Sequence, residues 1–378
     1  MVWLCLTLAL VSFLVAAVLA ALLVRFSPGW GWIDRTGLEP HKKHLRSVPN
    51  TGGMAILGAV VGPMAICLGA VWMLPTPWWQ RFFPAMGAPL EGLQDLTLTA
   101  AGILVALILL HVLGLADDRR GMDPWHKLLG QLIVSATLVH FFDMRVLHFL
   151  ENLSWWGYGL STALSLFWIV TIINAFNLLD NMDGLAGGVG AIIASVYLVA
   201  ALLGQQWLVA ALAALLLGAL LGFLLFNFPP AKMFMGDSGS LVVGLLLAVI
   251  SIRTTYFHTD PLDATSTPGH WYGVLMPLMV MAIPLYDLAS VVTIRLLARR
   301  NPLMADRSHF SHRLVNRGFS PRRAILLIWL CTVATGLSAA MLGSLQSWQA
   351  MVAAVQTIAI VVVVALLEVG SEEDRNRT

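Results

Sequence analysis

The chain has 378 residues, of which 58% are hydrophobic and 11% charged, with a formal net charge of +2 and a mean hydropathy of +0.82. That composition excludes an ordinary soluble enzyme, and no nucleic-acid partner is expected. It predicts an all-α, polytopic membrane protein.

A bilayer core of about 30 Å needs about 20 apolar residues per helix. Runs of that kind recur near 1–25, 51–74, 97–116, 127–143, 155–174, 185–203, 206–226, 236–252, 272–296, 322–343 and 347–368. The expectation is a single integral membrane domain, 1–378, of about eleven transmembrane helices, ending in a short cytoplasmic tail, 369–378. The first run lacks a basic stretch before its apolar core, so it reads as a retained helix and not as a signal peptide. Cys5, Cys67 and Cys331 fall inside apolar runs without paired spacing and predict neither a disulfide nor a metal site.

Positive charges of short loops stay on the cytoplasmic side. Nineteen of the 22 Lys and Arg fall in the loops after odd-numbered runs or in the tail, and only Arg81, Arg145 and Arg253 fall in the others. The split predicts an outside N-terminus and a cytoplasmic C-terminus. It also brings the polar breaks that carry Asp117, Asp118, Asp180, Asp183 and Asp237 to the cytoplasmic face. The outer loops carry Trp78, Trp79, Trp155 and Trp156, which read as an interfacial aromatic belt.

The first acidic break, Gly114-Leu-Ala-Asp-Asp-Arg-Arg-Gly121, ends the third run with two adjacent carboxylates, which repel unless a cation compensates them. The bland reading is a solvated loop neutralised by Arg119 and Arg120. Lys127 follows at the start of the next run and can snorkel to the surface or reach a phosphate. In the second break, Asn177, Asp180 and Asp183 recur every third residue and stay roughly aligned through a helix end. Oxygen donors in that arrangement suit Mg²⁺, which takes one or two carboxylates plus substrate phosphates and water. The third break, Lys232-Met-Phe-Met-Gly-Asp-Ser-Gly-Ser-Leu241, sets Asp237 at the start of an apolar run, where it equally reads as a helix cap. The fourth is a basic segment containing His309, His312 and Arg313, residues suited to a polyanion or to anionic lipid.

These motifs, in this order, resemble the polyprenyl-phosphate N-acetylhexosamine-1-phosphate transferase family. The resemblance runs from Arg46-Ser-Val-Pro-Asn-Thr-Gly-Gly53 through Asp117-Asp118, Asn177-Leu-Leu-Asp-Asn-Met-Asp-Gly-Leu185 and Phe234-Met-Gly-Asp-Ser-Gly-Ser240 to the histidine segment. It implies Mg²⁺-dependent transfer of a sugar-1-phosphate from a UDP-sugar to undecaprenyl phosphate with release of UMP, starting a lipid-linked envelope glycan, with Mn²⁺ as the alternative metal. By position, Asp237 and Asn177 correspond to metal ligands and Asp183 to the uracil contact. Asp117 and Asp118 correspond to the catalytic pair, with orientation of the lipid phosphate preferred over proton abstraction or a covalent aspartyl intermediate. Lys127, His309, His312 and Arg313 join the substrate-binding set, with Lys43 and Arg46 as weaker members and Asp180 without a separate role. A homodimer is compatible with the resemblance. Asp118→Asn is expected to abolish transfer and leave the fold intact.

One departure concerns the histidine motif, where relatives commonly carry a further His and this chain carries Ser311. The preferred donor is UDP-N-acetylglucosamine, and the alternative is the phospho-MurNAc-pentapeptide transferase reaction. An ion-coupled transporter is the alternative of a different class, but it expects charges deep inside spans and an internal repeat. Only His111 and Asp287 are placed that way, His111 reading as a packed helix residue and Asp287 as a support for the site.

Overall fold

The computed structural model describes residues 1–30, 48–82, 96–147, 150, 155–255, 271–301 and 308–369. Lys43, Arg46 and the tail from 370 onward lie outside the described residues. Every long element is a helix: α1 (Val2–Phe26), α2 (Gly52–Met73), the short α3 (Thr76–Phe82), α4 (Thr97–Arg120), α5 (Pro124–Phe141), α6 (Trp155–Leu179) and α7 (Leu185–Leu203). These are followed by α8 (Trp207–Asn227), α9 (Asp237–Thr255), the short α10 (Leu275–Val280), α11 (Ala282–Leu297), the short α12 (Phe310–Asn316), α13 (Pro321–Ala340) and α14 (Ser347–Val369). Among the described residues, nine helices are long and apolar enough to cross a membrane. They coincide with nine of the eleven expected runs. The other two runs correspond to α5, whose first turn carries His126 and Lys127, and to the α10–α11 pair, which a turn at Met281 between Pro277 and Pro284 divides into short helices.

Helix α9 is the axis of the bundle, with 89% of its apolar window buried, against 17% for α1 and 22% for α14. It packs on α2, α4, α6, α7 and α8. Small residues permit this, because without an aqueous hydrophobic drive membrane helices associate by close backbone approach. A Cβ at Gly244 would lie 2.7 Å from the Ile173 Cα on α6, and one at Gly239 would lie 2.9 Å from the Gly53 Cα on α2. A Cβ at Gly114 of α4 would meet the Ser238 Cα at 2.5 Å. Three helix ends therefore meet around the start of α9. At the periphery, Ser12 of α1 donates to the Ala59 carbonyl of α2 at 3.0 Å or the Leu215 carbonyl of α8 at 2.6 Å. The three cysteines are free.

Candidate active site

The four polar breaks converge at one end of the bundle. Asp117 lies in the last turn of α4, and its Oδ1 accepts the Met122 N–H at 2.7 Å, closing the turn into α5. Asp123 then caps α5 by accepting the Trp125 N–H at 2.9 Å, with Pro124 as the first helical residue. This fixes Lys127 in the first turn of α5, the end of a helix that repels a cation. Anionic partners offset that repulsion: the Lys127 ammonium lies 2.9 Å from Asp117 Oδ2 and donates to Asn177 Oδ1 at 2.9 Å and to Asp237 Oδ2. Asn177 of α6 in turn donates to Asp237 Oδ1 at 2.8 Å or the Ser240 hydroxyl at 2.9 Å. Residues from α4, α5, α6 and α9 thus share one charged centre.

Asp118 has a different place. Its Oδ1 accepts the Asp237 N–H at 2.8 Å and the Asn50 amide at 3.0 Å, and its Oδ2 accepts the Ser238 N–H at 3.0 Å. It therefore caps α9 from another helix and satisfies N–H groups that the helix cannot pair internally. Gly236, with φ +71°, makes the entry into α9, and a side chain there would press on Asn50 and on Asp118 Oδ2. His111, one face of α4 deeper, sets its Nδ1 3.0 Å from the Ser238 carbonyl and braces the same turn.

Asp183 lies beyond α6, where its Oδ2 accepts the Ala231 N–H at 2.9 Å; Gly184, with φ +74°, donates its N–H to Asn227 Oδ1 at 2.8 Å. Asp180 is half-buried at the end of α6, close in sequence to Asn177. The histidine segment reaches this edge through Ser311, whose hydroxyl donates to Asn181 Oδ1 at 2.5 Å. The serine at the departure from the family motif is thus the tie between the fourth break and the second. His309 is buried, with its ring 6.3 Å from that of His312. Arg313 points away from the charged centre. Its Nε and Nη2 each lie 2.9 Å from Glu368 Oε2 of α14, Nη2 also donates to Ser290 at 2.8 Å, and Nη1 donates to the Ser308 carbonyl.

The donor set fits a hard cation. Three oxygens, from Asp117, Asn177 and Asp237, already converge on one positive charge, the Lys127 ammonium. Two carboxylates, Asp117 and Asp237, face that ammonium, while Asp118 is engaged by the N–H groups that open α9. Among the described residues no group of three or more His, Cys, Asp or Glu side chains is placed to hold a metal ion by itself; a hard cation here would need the Asn177 oxygen, water and substrate phosphates as well. Sequence reading missed Asn50, Ser240, Asn181 and Glu368. The first three lie inside or beside quoted motifs, whereas nothing in the sequence marks Glu368.

The chain is 30% identical over 346 residues to the probable undecaprenyl-phosphate N-acetylglucosaminyl 1-phosphate transferase of Bacillus subtilis, covering 90% of this chain and 85% of that protein. It belongs to glycosyl transferase family 4. The family model matches residues 100–255, which hold Asp117, Lys127, Asn177 and Asp237. Within the family, the decaprenyl-phosphate N-acetylglucosaminephosphotransferase of Mycolicibacterium smegmatis is 33% identical over 82% of this chain and 77% of its own length. A phospho-N-acetylmuramoyl-pentapeptide-transferase of Lactobacillus johnsonii is 32% identical over 53% of this chain and 61% of its own length.

Proposed function

We propose that this protein transfers N-acetylglucosamine-1-phosphate from UDP-N-acetylglucosamine to a polyprenyl phosphate such as undecaprenyl phosphate, releasing UMP, on the cytoplasmic face of a bacterial inner membrane. The observation that carries this reading is the shared centre of Asp117, Lys127, Asn177 and Asp237 in a chain that belongs to the family. The names of the Bacillus subtilis and Mycolicibacterium smegmatis relatives support the acceptor and the sugar. The charge asymmetry of the loops supports the cytoplasmic face.

The reaction forms a bond from a lipid phosphate oxygen to the β-phosphorus of the donor and breaks the β-phosphorus bond to the bridging oxygen, which leaves on UMP. Two anions must be brought together, so positioning and charge stabilisation supply most of the rate. Lys127 presents its ammonium to phosphate oxygens once Asp117 and Asp237 share it with substrate. Asp117, fixed by the Met122 N–H, orients the attacking phosphate, a monoester that is mostly dianionic at neutral pH and needs little base help. Asp118 keeps Asp237 in place, and Asp183 serves the nucleotide base. Asp237 and Asn177 would hold Mg²⁺, which when bound neutralises the pyrophosphate charge. The test is incubation of purified protein with UDP-N-acetylglucosamine, undecaprenyl phosphate and Mg²⁺. UMP and the lipid-linked sugar are the expected products, and no UMP from any of a panel of UDP-sugars would overturn the reading.

A further inference from the structure

Helix α11 carries a carboxylate where the bilayer tolerates one only if it is fully engaged. Asp287 is 1% exposed. Its Oδ1 accepts the Phe310 N–H at 2.7 Å, and its Oδ2 lies 3.2 Å from Nδ1 of His309. His309 is the residue before α12 and makes no side-chain cap of its own. A carboxylate on another helix thus holds both the backbone and the imidazole at this point. The same corner is pinned by Arg313 on Ser290, three residues along α11 from Asp287, and by Ser311 on Asn181 beside the site. The imidazole has little freedom to turn.

We propose that Asp287 is a positioning residue for His309: it holds the Nδ1 hydrogen and the ring plane, leaving Nε2 as the nitrogen presented to a phosphate oxygen of the substrates. This rests on the transferase reading above. A carboxylate only accepts, so the hydrogen of the pair sits on Nδ1. The nitrogen opposite is then the one with a bond still to make, and a ring already oriented loses little freedom when a phosphate arrives. Ser311, two residues along the chain, bonds Asn181 and ties this corner to the segment bearing Asp180 and Asp183. A pure helix cap would account for the Phe310 bond but not for the placing of Nδ1 on the second oxygen.

The experiment uses the full-length protein in nanodiscs. In ¹⁵N-histidine spectra of the wild type, with the His309 signal identified by its loss in His309→Gln, the expected result is a hydrogen on Nδ1; an Nδ1 without one would overturn the proposal. Asp287→Asn keeps an acceptor for Phe310 but turns an amide NH₂ toward Nδ1. It is expected to lower kcat about 100-fold, with KM changed less than about threefold, as when a histidine loses its orienting carboxylate. Adding His309→Gln to it should lower kcat little further, because the two act as a unit. A kcat within about threefold of wild type in Asp287→Asn, with only thermal stability reduced, would reduce Asp287 to a cap and sink the idea. The wild-type spectrum depends neither on turnover nor on the folding of Asp287→Asn, so failure of the transfer reading is read separately.

Discussion

Asp118 Oδ1 accepts the backbone N–H of Asp237 at 2.8 Å. The two adjacent carboxylates that look equivalent in Asp117-Asp118 therefore divide their work: one faces the Lys127 ammonium and the other builds the helix end that carries Asp237. In the fold, α4 and α9 touch at Gly114 and Ser238, close enough for a side chain on one to cap the other.

Asp118→Asn replaces one accepting oxygen by an NH₂ that faces a backbone N–H. Leaving such a donor unpaired costs about 1–3 kcal/mol. Contrary to the expectation from sequence that the fold stays intact, thermal unfolding in nanodiscs should begin at a lower temperature than for wild type, with transfer lost as well. An unchanged melting temperature together with lost transfer would return Asp118 to a direct chemical role.

Gly236→Ala places a side chain at φ +71° against Asn50 and Asp118. The left-handed conformation alone costs about 1–2 kcal/mol for a residue with a Cβ, and the contact disturbs the cap of α9. Transfer should fall at least tenfold. Gly69→Ala on α2, where a Cβ meets nothing within 4 Å, is the matched control and should be neutral or stabilising by up to about 1 kcal/mol. Equal behaviour of the two variants in UMP release would remove Gly236 from the argument.

Arg313→Lys tests whether this residue touches phosphate or locks α12 to α14. Lysine keeps the charge but not the planar fork that meets Glu368 through Nε and Nη2 and Ser290 through Nη2. The structural role predicts a lower melting temperature with KM for the UDP-sugar changed less than about threefold. It also predicts that Glu368→Gln gives a similar loss, and that the double variant loses less than the sum. A tenfold rise in KM at unchanged stability would restore the phosphate contact expected from sequence.

Much of this site is legible in the sequence because its residues interrupt apolar runs, and a carboxylate or lysine at such a break has few inexpensive explanations. Asp117, Lys127, Asn177 and Asp237 meet for that reason. Partners contributed by backbone or by distant helices are not legible. The acceptor role of Asp118 depends on how α9 begins. The engagement of Arg313 depends on Glu368, 55 residues away and near the end of an unremarkable apolar helix. The run at 272–296 reads as one span because hydropathy averages over Met281, where the helix is interrupted between α10 and α11. Asp183 and the histidine segment owe their expected roles to resemblance, and their geometry is set by loops whose pairing no periodicity encodes.

Metal dependence gives the sharpest test of the charged centre. Two carboxylates, Asp117 and Asp237, share the single Lys127 ammonium and leave an excess of negative charge even before two phosphorylated substrates enter. Chelation with EDTA should therefore bring UMP release to background, and excess Mg²⁺ should restore it. Asp237→Asn removes one of the charges and should raise the Mg²⁺ concentration for half-maximal activity about 10–100-fold, the range typical of a weakened metal site. Asn177→Ala should move it in the same direction, because the amide both offers an oxygen and holds Asp237 Oδ1 at 2.8 Å. Lys127→Gln should act otherwise: it removes the cation itself, so turnover should fall by about 10²–10³ at saturating Mg²⁺, the scale of losing one preorganised charge-stabilising donor. If Lys127→Gln instead responded to added Mg²⁺ as Asp237→Asn does, and recovered fully, the ammonium would be a stand-in for metal and not a phosphate-binding group.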